Sequence, residues 1–300
     1  MKTYYATPND DLQNLLNNAE PYSIIKLAKG VYRQKLEIDV DGITIEGENA
    51  ENTAISYGDY AKKLDEKGVE YNTFRTYTVA VCANDVTLRN ITVENTAANS
   101  PKNGQEVALT VYGDNFIADN CRLLSEQDTV FCGPLPLDLI ERYDGFLKDK
   151  LRRNITSKQR YVNCTIAGTV DFIFGCGDCL FEHCTIVSLD DGRHGFVAAP
   201  AHALEQNVGF VFNKCVFEGI GELDGKIFLA RPWRDYGKSS FINCQYGKHI
   251  ATVGFDKWND TERDKTARFA EYGVDRTGRV AWSKQLTQKE ADILLRYFNK

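Results

Sequence analysis

One short pattern recurs six times in the middle of the chain. The copies are Arg89-Asn90-Ile91-Thr92-Val93, Asp119-Asn120-Cys121-Arg122-Leu123, Val162-Asn163-Cys164-Thr165-Ile166, Glu182-His183-Cys184-Thr185-Ile186, Asn213-Lys214-Cys215-Val216-Phe217 and Ile242-Asn243-Cys244-Gln245-Tyr246. Each has a polar residue, then Cys or Ile, then one residue, then a large apolar one. That alternation predicts a strand with one buried face. Successive copies lie 30, 43, 20, 31 and 29 residues apart. Repeats of this length mark stacked units that each contact only their neighbours. Short β-rich units without long helices between them predict an all-β fold, a single-stranded right-handed parallel β-helix. Val40 to Gly47 reads as a cruder, earlier copy. The five cysteines at the shared position (Cys121, Cys164, Cys184, Cys215, Cys244) are expected to form a column of small buried side chains. Disulfides between them are not expected, because stacked inward neighbours seldom meet the bridge geometry.

One domain spanning residues 1–300 is expected. Leu12, Leu15 and Leu16 predict a short amphipathic helix within about residues 8–19, which caps the first coil. Thr287-Gln288-Lys289-Glu290 is a capping box that opens a helix over about 287–299, with Ile293, Leu294 and Tyr297 on one face, read as the cap of the other end. Residues 133–158 do not repeat, and they account for the long 43-residue gap. They are read as an inserted loop, a common place for function.

Charge and composition exclude several classes. The net charge of -6 argues against nucleic acid as a partner. No apolar run reaches the ~18–20 residues of a membrane span, so no membrane partner is expected. The first residues carry no apolar leader-like stretch, and the nine cysteines are an odd number. Both favour a reducing compartment, so a cytoplasmic location is expected, with secretion the alternative if a leader has been trimmed. The sequons at Asn90, Asn154, Asn163 and Asn259 carry little weight there. A monomer is expected.

The chemistry is concentrated in four polar segments with apolar flanks: Gly104-Gln105-Glu106-Val107-Ala108-Leu109, Ser125-Glu126-Gln127-Asp128-Thr129-Val130-Phe131, Gly168-Thr169-Val170-Asp171-Phe172-Ile173-Phe174-Gly175 and Leu229-Ala230-Arg231-Pro232-Trp233. There is no Gly-x-Ser-x-Gly elbow and no His-Glu-x-x-His helix, so neither a standard serine esterase nor a zinc site is indicated. No metal and no other cofactor is expected. Gln105 and Asp128 are 23 residues apart, and Asp128 and Asp171 are 43 apart, about one coil each once the inserted loop is discounted. The solenoid therefore brings Gln105, Asp128 and Asp171 to one face on successive coils. Two carboxyls so close push their pKa values apart, which gives one site both a nucleophile and an acid.

In this order, Gly-x-Gln-x-Val-Ala-Leu, Gln-Asp-Thr, Gly-Thr-Val-Asp-Phe-Ile-Phe-Gly and Arg-Pro-Trp resemble the signature set of the pectin methylesterases, carbohydrate esterase family 8. The tail segments Phe269-Ala270-Glu271-Tyr272 and Arg279-Val280-Ala281-Trp282 resemble that family's closing motif in shortened form. The resemblance runs over roughly residues 4–283. It implies a methyl-esterified oligogalacturonide or pectin as substrate, with pectate and methanol as products. It implies Asp171 as nucleophile, Asp128 as acid then base, Gln105 and Gln127 as oxyanion donors, and Arg231 as the partner of Asp171. Substrate contacts are expected from Trp233, Phe174, Thr129, Phe131 and, in the inserted loop, Tyr143. Each residue alone has a plain structural reading: a ladder glutamine, an ordinary ion pair, a packed tryptophan.

Three departures from the family pattern stand out. Glu106 replaces the usual Ala, Ala230 the usual Gly, and the 133–158 loop is long. Anchored beside both carboxylates, with Arg142, Tyr143, Arg152 and Arg153 in it, the loop is expected to roof the groove and favour short oligomers. Cys176-Gly177-Asp178-Cys179 is read as structural, since a redox Cys-x-x-Cys needs a helix N-terminus. A pectate lyase is the rival on the same fold, and a non-catalytic carbohydrate-binding solenoid the rival of another class. A lyase needs dense acidic calcium ligands, which the Asp128 and Asp171 segments lack. A binding solenoid would be expected to have lost Asp128, Asp171 or Arg231.

Overall fold

The computed structural model describes residues 1–151 and 157–299. Short strands wind into three parallel sheets of 11, 7 and 8 strands. Neighbours within a sheet come from successive coils. In the seven-stranded sheet the order along the axis is Leu36–Ile38, Val79–Val81, Leu109–Val111, Val130–Cys132, Val170–Gly175, Gly195–Pro200 and Ile227–Ala230. This is a parallel β-helix: the crossover that parallel pairing requires is the rest of each coil, passing through the other two sheets.

The six repeats are not single strands. Each straddles a corner between the eleven- and eight-stranded sheets. The strands end at Arg89, Asp119, Val162, Glu182, Asn213 and Ile242, and resume at Thr92, Arg122, Thr165, Thr185, Val216 and Gln245. Between them Asn90, Asn120, Asn163, His183, Lys214 and Asn243 take φ of +52° to +55°. Asparagine suits that left-handed turn because its short amide bonds locally. The Asn120 side-chain NH2 also donates to Asn90 Oδ1 on the preceding coil at 2.8 Å. Three or four alternating residues do not distinguish a strand from a corner, which is why the sequence pattern reads as the former.

The cysteine after each corner is explained by the same turn. The thiols of Cys121, Cys164, Cys184, Cys215 and Cys244 donate to the carbonyls of Leu88, Ala118, Tyr161, Phe181 and Phe212 on the preceding coil, at 3.2–3.5 Å. A small apolar side chain with one weak donor fills the corner and satisfies a buried acceptor. All nine cysteines are buried and none is in a disulfide. Beside this column Tyr161, Phe181, Phe212 and Phe241 stack at 4.7, 4.6 and 4.8 Å between ring centroids. That spacing is the distance between hydrogen-bonded strands. The ladder fixes register as well as burying area, because these four residues are also backbone partners.

Helix α1 (Leu12–Asn18) starts at Asp11, whose carboxylate accepts from the Asn14 amide. It inserts Leu12 and Leu16 into the end of the interior core, as expected. Two short helices, α2 (Ser100–Asn103) and α3 (Leu137–Arg142), lie in excursions from the coils. Helix α4 (Gln288–Tyr297) has the expected capping box between Thr287 and Glu290, but it does not plug the far end. It lies on the outer face of the eleven-stranded sheet, packing Ala291, Leu294 and Phe298 against Leu180, Val211, Ile242 and Ala270. Ile293, expected on the packed face, is exposed. Phe255, Phe269 and Trp282 pack together near the C-terminal end of the core. Close by, fully buried Glu271 is held by Arg276 at 3.3 Å and Arg279 at 3.0 Å.

The corner account makes a prediction that a strand account does not. A left-handed residue with a Cβ costs about 1–2 kcal/mol, against about 0.5–1 kcal/mol for the extra entropy glycine loses on folding. Lys214→Gly at an exposed corner therefore leaves stability unchanged or raises it by up to about 1.5 kcal/mol. A fall in the urea midpoint at constant slope would show that position 214 behaves as ordinary strand.

Candidate active site

The seven-stranded sheet builds the site by register. Leu109, Val130 and Ile173 are ladder partners on three successive coils. Asp128 and Asp171 each lie two residues before their member of that row, so they are neighbours, and the Asp128 amide donates to the Val170 carbonyl at 3.1 Å. The Glu106 amide donates to the Gln127 carbonyl at 3.0 Å, which sets Gln105 beside Gln127 across the next pair of coils.

Both aspartates are left-handed, with φ of +64° at Asp128 and +51° at Asp171. At Asp171 the ladder to the Gly195–Pro200 strand slips between Val170 and Ile173. Phe172 and Ile173 both enter the interior core, so the in–out alternation breaks and Asp171 is turned to the groove. Strained residues of this kind persist only where the surroundings over-determine them, and they gather at functional sites.

The groove holds a cavity of about 580 Å³ lined by Gln105, Gln127, Asp128, Asp171, Arg231, Trp233, Phe174 and Tyr143. The sequence reading was wrong for two residues. Thr129 is fully buried and its hydroxyl bonds to the Ala167 carbonyl at 2.8 Å, which ties adjacent coils together. Phe131 is also fully buried, under Phe74, Tyr112 and Phe174. It supports the groove floor without reaching substrate, because Phe74 and Phe174 cover it. Tyr143 lines the cavity while its hydroxyl donates to Asn72 Oδ1 at 2.9 Å.

Arg231 grips Asp171 with both arms of its fork, Nε to Oδ1 at 2.8 Å and Nη2 to Oδ2 at 2.7 Å. The guanidinium is itself held between two rings, 3.8 Å from the Phe196 centroid and 4.1 Å from that of Trp258. Burial pushes both carboxyls up, and the two then differ in their partners. Asp171 is raised by desolvation and pulled back by the Arg231 guanidinium. Asp128 is pushed well above the ordinary carboxylate range, by burial first and then by the charge on Asp171, with weaker opposition from Arg231 and a hydrogen bond from Gln127. The arrangement thus sets two buried carboxyls side by side in unequal surroundings, with the guanidinium bonded to Asp171 and the stronger upward push on Asp128.

Several residues at the site were not legible in the sequence. Phe74, Trp258, Arg234 and Arg263 line the cavity from loops without periodicity, and Arg193 reaches Gln127 from the 190–194 turn. A tryptophan in a polar loop, Lys257-Trp258-Asn259, was the one available signal. Glu106 does not charge the cavity. It is buried, its carboxyl is raised by desolvation, and Oε1 accepts from the Asn99 amide and the Asn103 side chain, which pins α2. Cys176 donates to the Pro134 carbonyl at 2.9 Å, and it and Cys179 are buried and unbridged. Among the described residues, no three His, Cys, Asp or Glu side chains gather as metal ligands do.

The inserted segment forms one wall of the site. Leu135, Leu139 and Leu147 are buried with Phe74, Phe131 and Phe174. Asp138 takes both arms of Arg234, at 3.1 and 2.6 Å, and Lys148 bridges back to Glu37 at 2.7 Å. Beyond the Asp138–Arg234 bridge lies a second cavity of about 600 Å³, shared with Leu137, Tyr236 and Arg263. Arg152 and Arg153 lie outside the described residues.

Known proteins resemble this chain over most of its length. The pectinesterase family model matches residues 2–134 and 144–297, passing over 135–143, the α3 segment. Pectinesterase 31 of Arabidopsis thaliana is 31% identical over 281 residues, 90% of this chain and 80% of the relative. Pectinesterase QRT1 of the same plant is 32% identical over 283 residues, 90% of this chain and 67% of the relative. Among solved structures, pectin methylesterase from carrot superposes with a TM-score of 0.79 at 23% identity, covering 96% of this chain and 89% of that one. Pectin methylesterase from Yersinia enterocolitica gives 0.77 at 25% identity, covering 95% and 96%. With the family model matched over nearly its whole length and relatives above 30% identity covering 90% of it, the chain belongs to the pectinesterase family.

Proposed function

We propose that the protein hydrolyses the methyl esters of galacturonate chains through a covalent intermediate on Asp171. The observation that carries this reading is the two-armed Arg231 grip on Asp171 beside a buried Asp128 whose carboxyl burial pushes well above the ordinary range. The Asp171 carboxylate adds to the ester carbonyl. The developing oxyanion is met by side-chain NH2 groups of Gln105 and Gln127, donors whose individual loss typically costs about 10²–10³ in kcat. As the tetrahedral species collapses, the bond to methoxide breaks and Asp128 supplies the proton that makes methanol. Asp128, now a carboxylate, takes a proton from water. The resulting hydroxide attacks the acyl carbon, Asp171 leaves as carboxylate, and Asp128 is acid again. Trp233, Phe174 and Trp258 offer apolar faces to the sugar rings.

The α3 wall supports a further part of the proposal, that short methylated oligomers are preferred to polymer. A long chain must cross the Asp138–Arg234 bridge, whereas a short one fits on the catalytic side of it. A cytoplasmic enzyme would meet such oligomers, and the buried, unbridged cysteines suit a reducing compartment.

Two tests follow. Asp171→Asn and Asp128→Asn are each expected to lower methanol release from methylated oligogalacturonide by at least about 10³ with unchanged circular dichroism, as losses of paired catalytic groups do. Near-normal release by a folded Asp171→Asn protein sinks the mechanism. Replacing residues 135–143 by a short Gly/Ser linker is expected to lower kcat/KM on short oligomers several-fold more than on polymeric pectin. Equal losses on both substrates would remove the wall from substrate choice.

A further inference from the structure

Arg193 takes no part in the mechanism above, yet it is built into the site. It sits in the turn 190–194 between two strands and forms four side-chain hydrogen bonds. Nε and Nη2 donate to Asp191 Oδ2 at 3.0 and 2.5 Å, Nη2 donates to Ser100 Oγ at 3.1 Å, and Nη1 donates to Gln127 Oε1 at 3.2 Å. Asp191 also accepts from the Arg193 backbone amide at 3.1 Å, so the guanidinium is fixed from behind. Ser100 is fixed too: its backbone amide donates to Glu126 Oε2 at 2.6 Å, one residue from Gln127. Three turns on three coils, around 100, 126 and 191, meet at one fork.

A side-chain amide has an acceptor end and a donor end that are sterically almost interchangeable. Guanidinium has donors only. A guanidinium against Gln127 therefore admits one orientation of that amide, with Oε1 to Arg193 and NH2 to the cavity. We propose that Arg193 is a positioning residue that aims the Gln127 NH2 at the oxyanion. The effect is confined to the transition state, because a neutral ester carbonyl draws less on that donor than the oxyanion does. The inference rests on the donor role given to Gln127 under the proposed function. Arg193 is not part of any of the four motifs that carry the family resemblance.

The test is a double-mutant cycle on a methylated oligogalacturonide, using Arg193→Met, Gln127→Ala and the two together, with folding checked by thermal melting. Arg193→Met is expected to lower kcat about 10- to 100-fold, a fraction of the loss of an oxyanion donor, with KM changed no more than about twofold. The double variant is expected to be no slower than Gln127→Ala alone. Arg193→Lys, which keeps the charge but not the fork, should recover only part of the rate. Multiplying losses in the double variant, a change in KM alone, or full rescue by lysine would each overturn the inference. If Arg193→Met does not fold, Arg193→Lys and its combination with Gln127→Ala complete the same cycle. If Gln127→Ala itself is fast, the donor role under the proposed function fails instead, so the two failures are told apart.

Discussion

Everything at the site depends on one ion pair, the fork of Arg231 on Asp171. Two buried carboxyls side by side cannot both ionise at modest cost, and without a third group the proton between them has no fixed owner. Arg231 assigns it. Its two hydrogen bonds, at 2.8 and 2.7 Å, stabilise charge on Asp171, while burial first, and then the charge on Asp171, push the Asp128 carboxyl up. A lysine could supply the charge but not the two-point grip, nor the flat face that packs between Phe196 and Trp258. The rings matter because a guanidinium free to swing would relax the asymmetry it creates.

The β-helix makes that pair cheap to position. Coils repeat at strand spacing, so side chains from residues 128, 171 and 231 arrive on one face without any loop having to find another. The interior aromatic stack and the corner thiols hold the register by short, repeated contacts. A slip of one residue would turn Asp171 inward. What shapes the groove comes from outside the coils: the turn carrying Phe74, the loop carrying Trp258, and α3, where the family model passes over this chain.

The sequence disclosed whatever repeats or runs contiguously. The coil period, the plug formed by Leu12 and Leu16, the capping box at Thr287, and the grouping of Gln105, Asp128 and Asp171 all follow from spacing. Proximity in sequence misled at Thr129 and Phe131. On a strand, adjacent residues face opposite ways, and an outward one can still be covered, as Phe131 is by Phe74 and Phe174. The apolar stripe of α4 marked a face but not its partner, so the helix that reads as an end cap packs on a sheet instead. Trp258 offered only the hint of a tryptophan in a polar loop and Arg193 offered none, because irregular loops carry no period and their partners are far away in the chain.

The central claim concerns where one proton resides, and infrared difference spectroscopy on protein labelled with carboxyl-13C aspartate reads it directly. At neutral pH the account predicts that subtracting Asp128→Asn from the unsubstituted protein reveals a protonated carboxyl band, and subtracting Asp171→Asn reveals a carboxylate band. The reverse assignment, or two carboxylates, would contradict it.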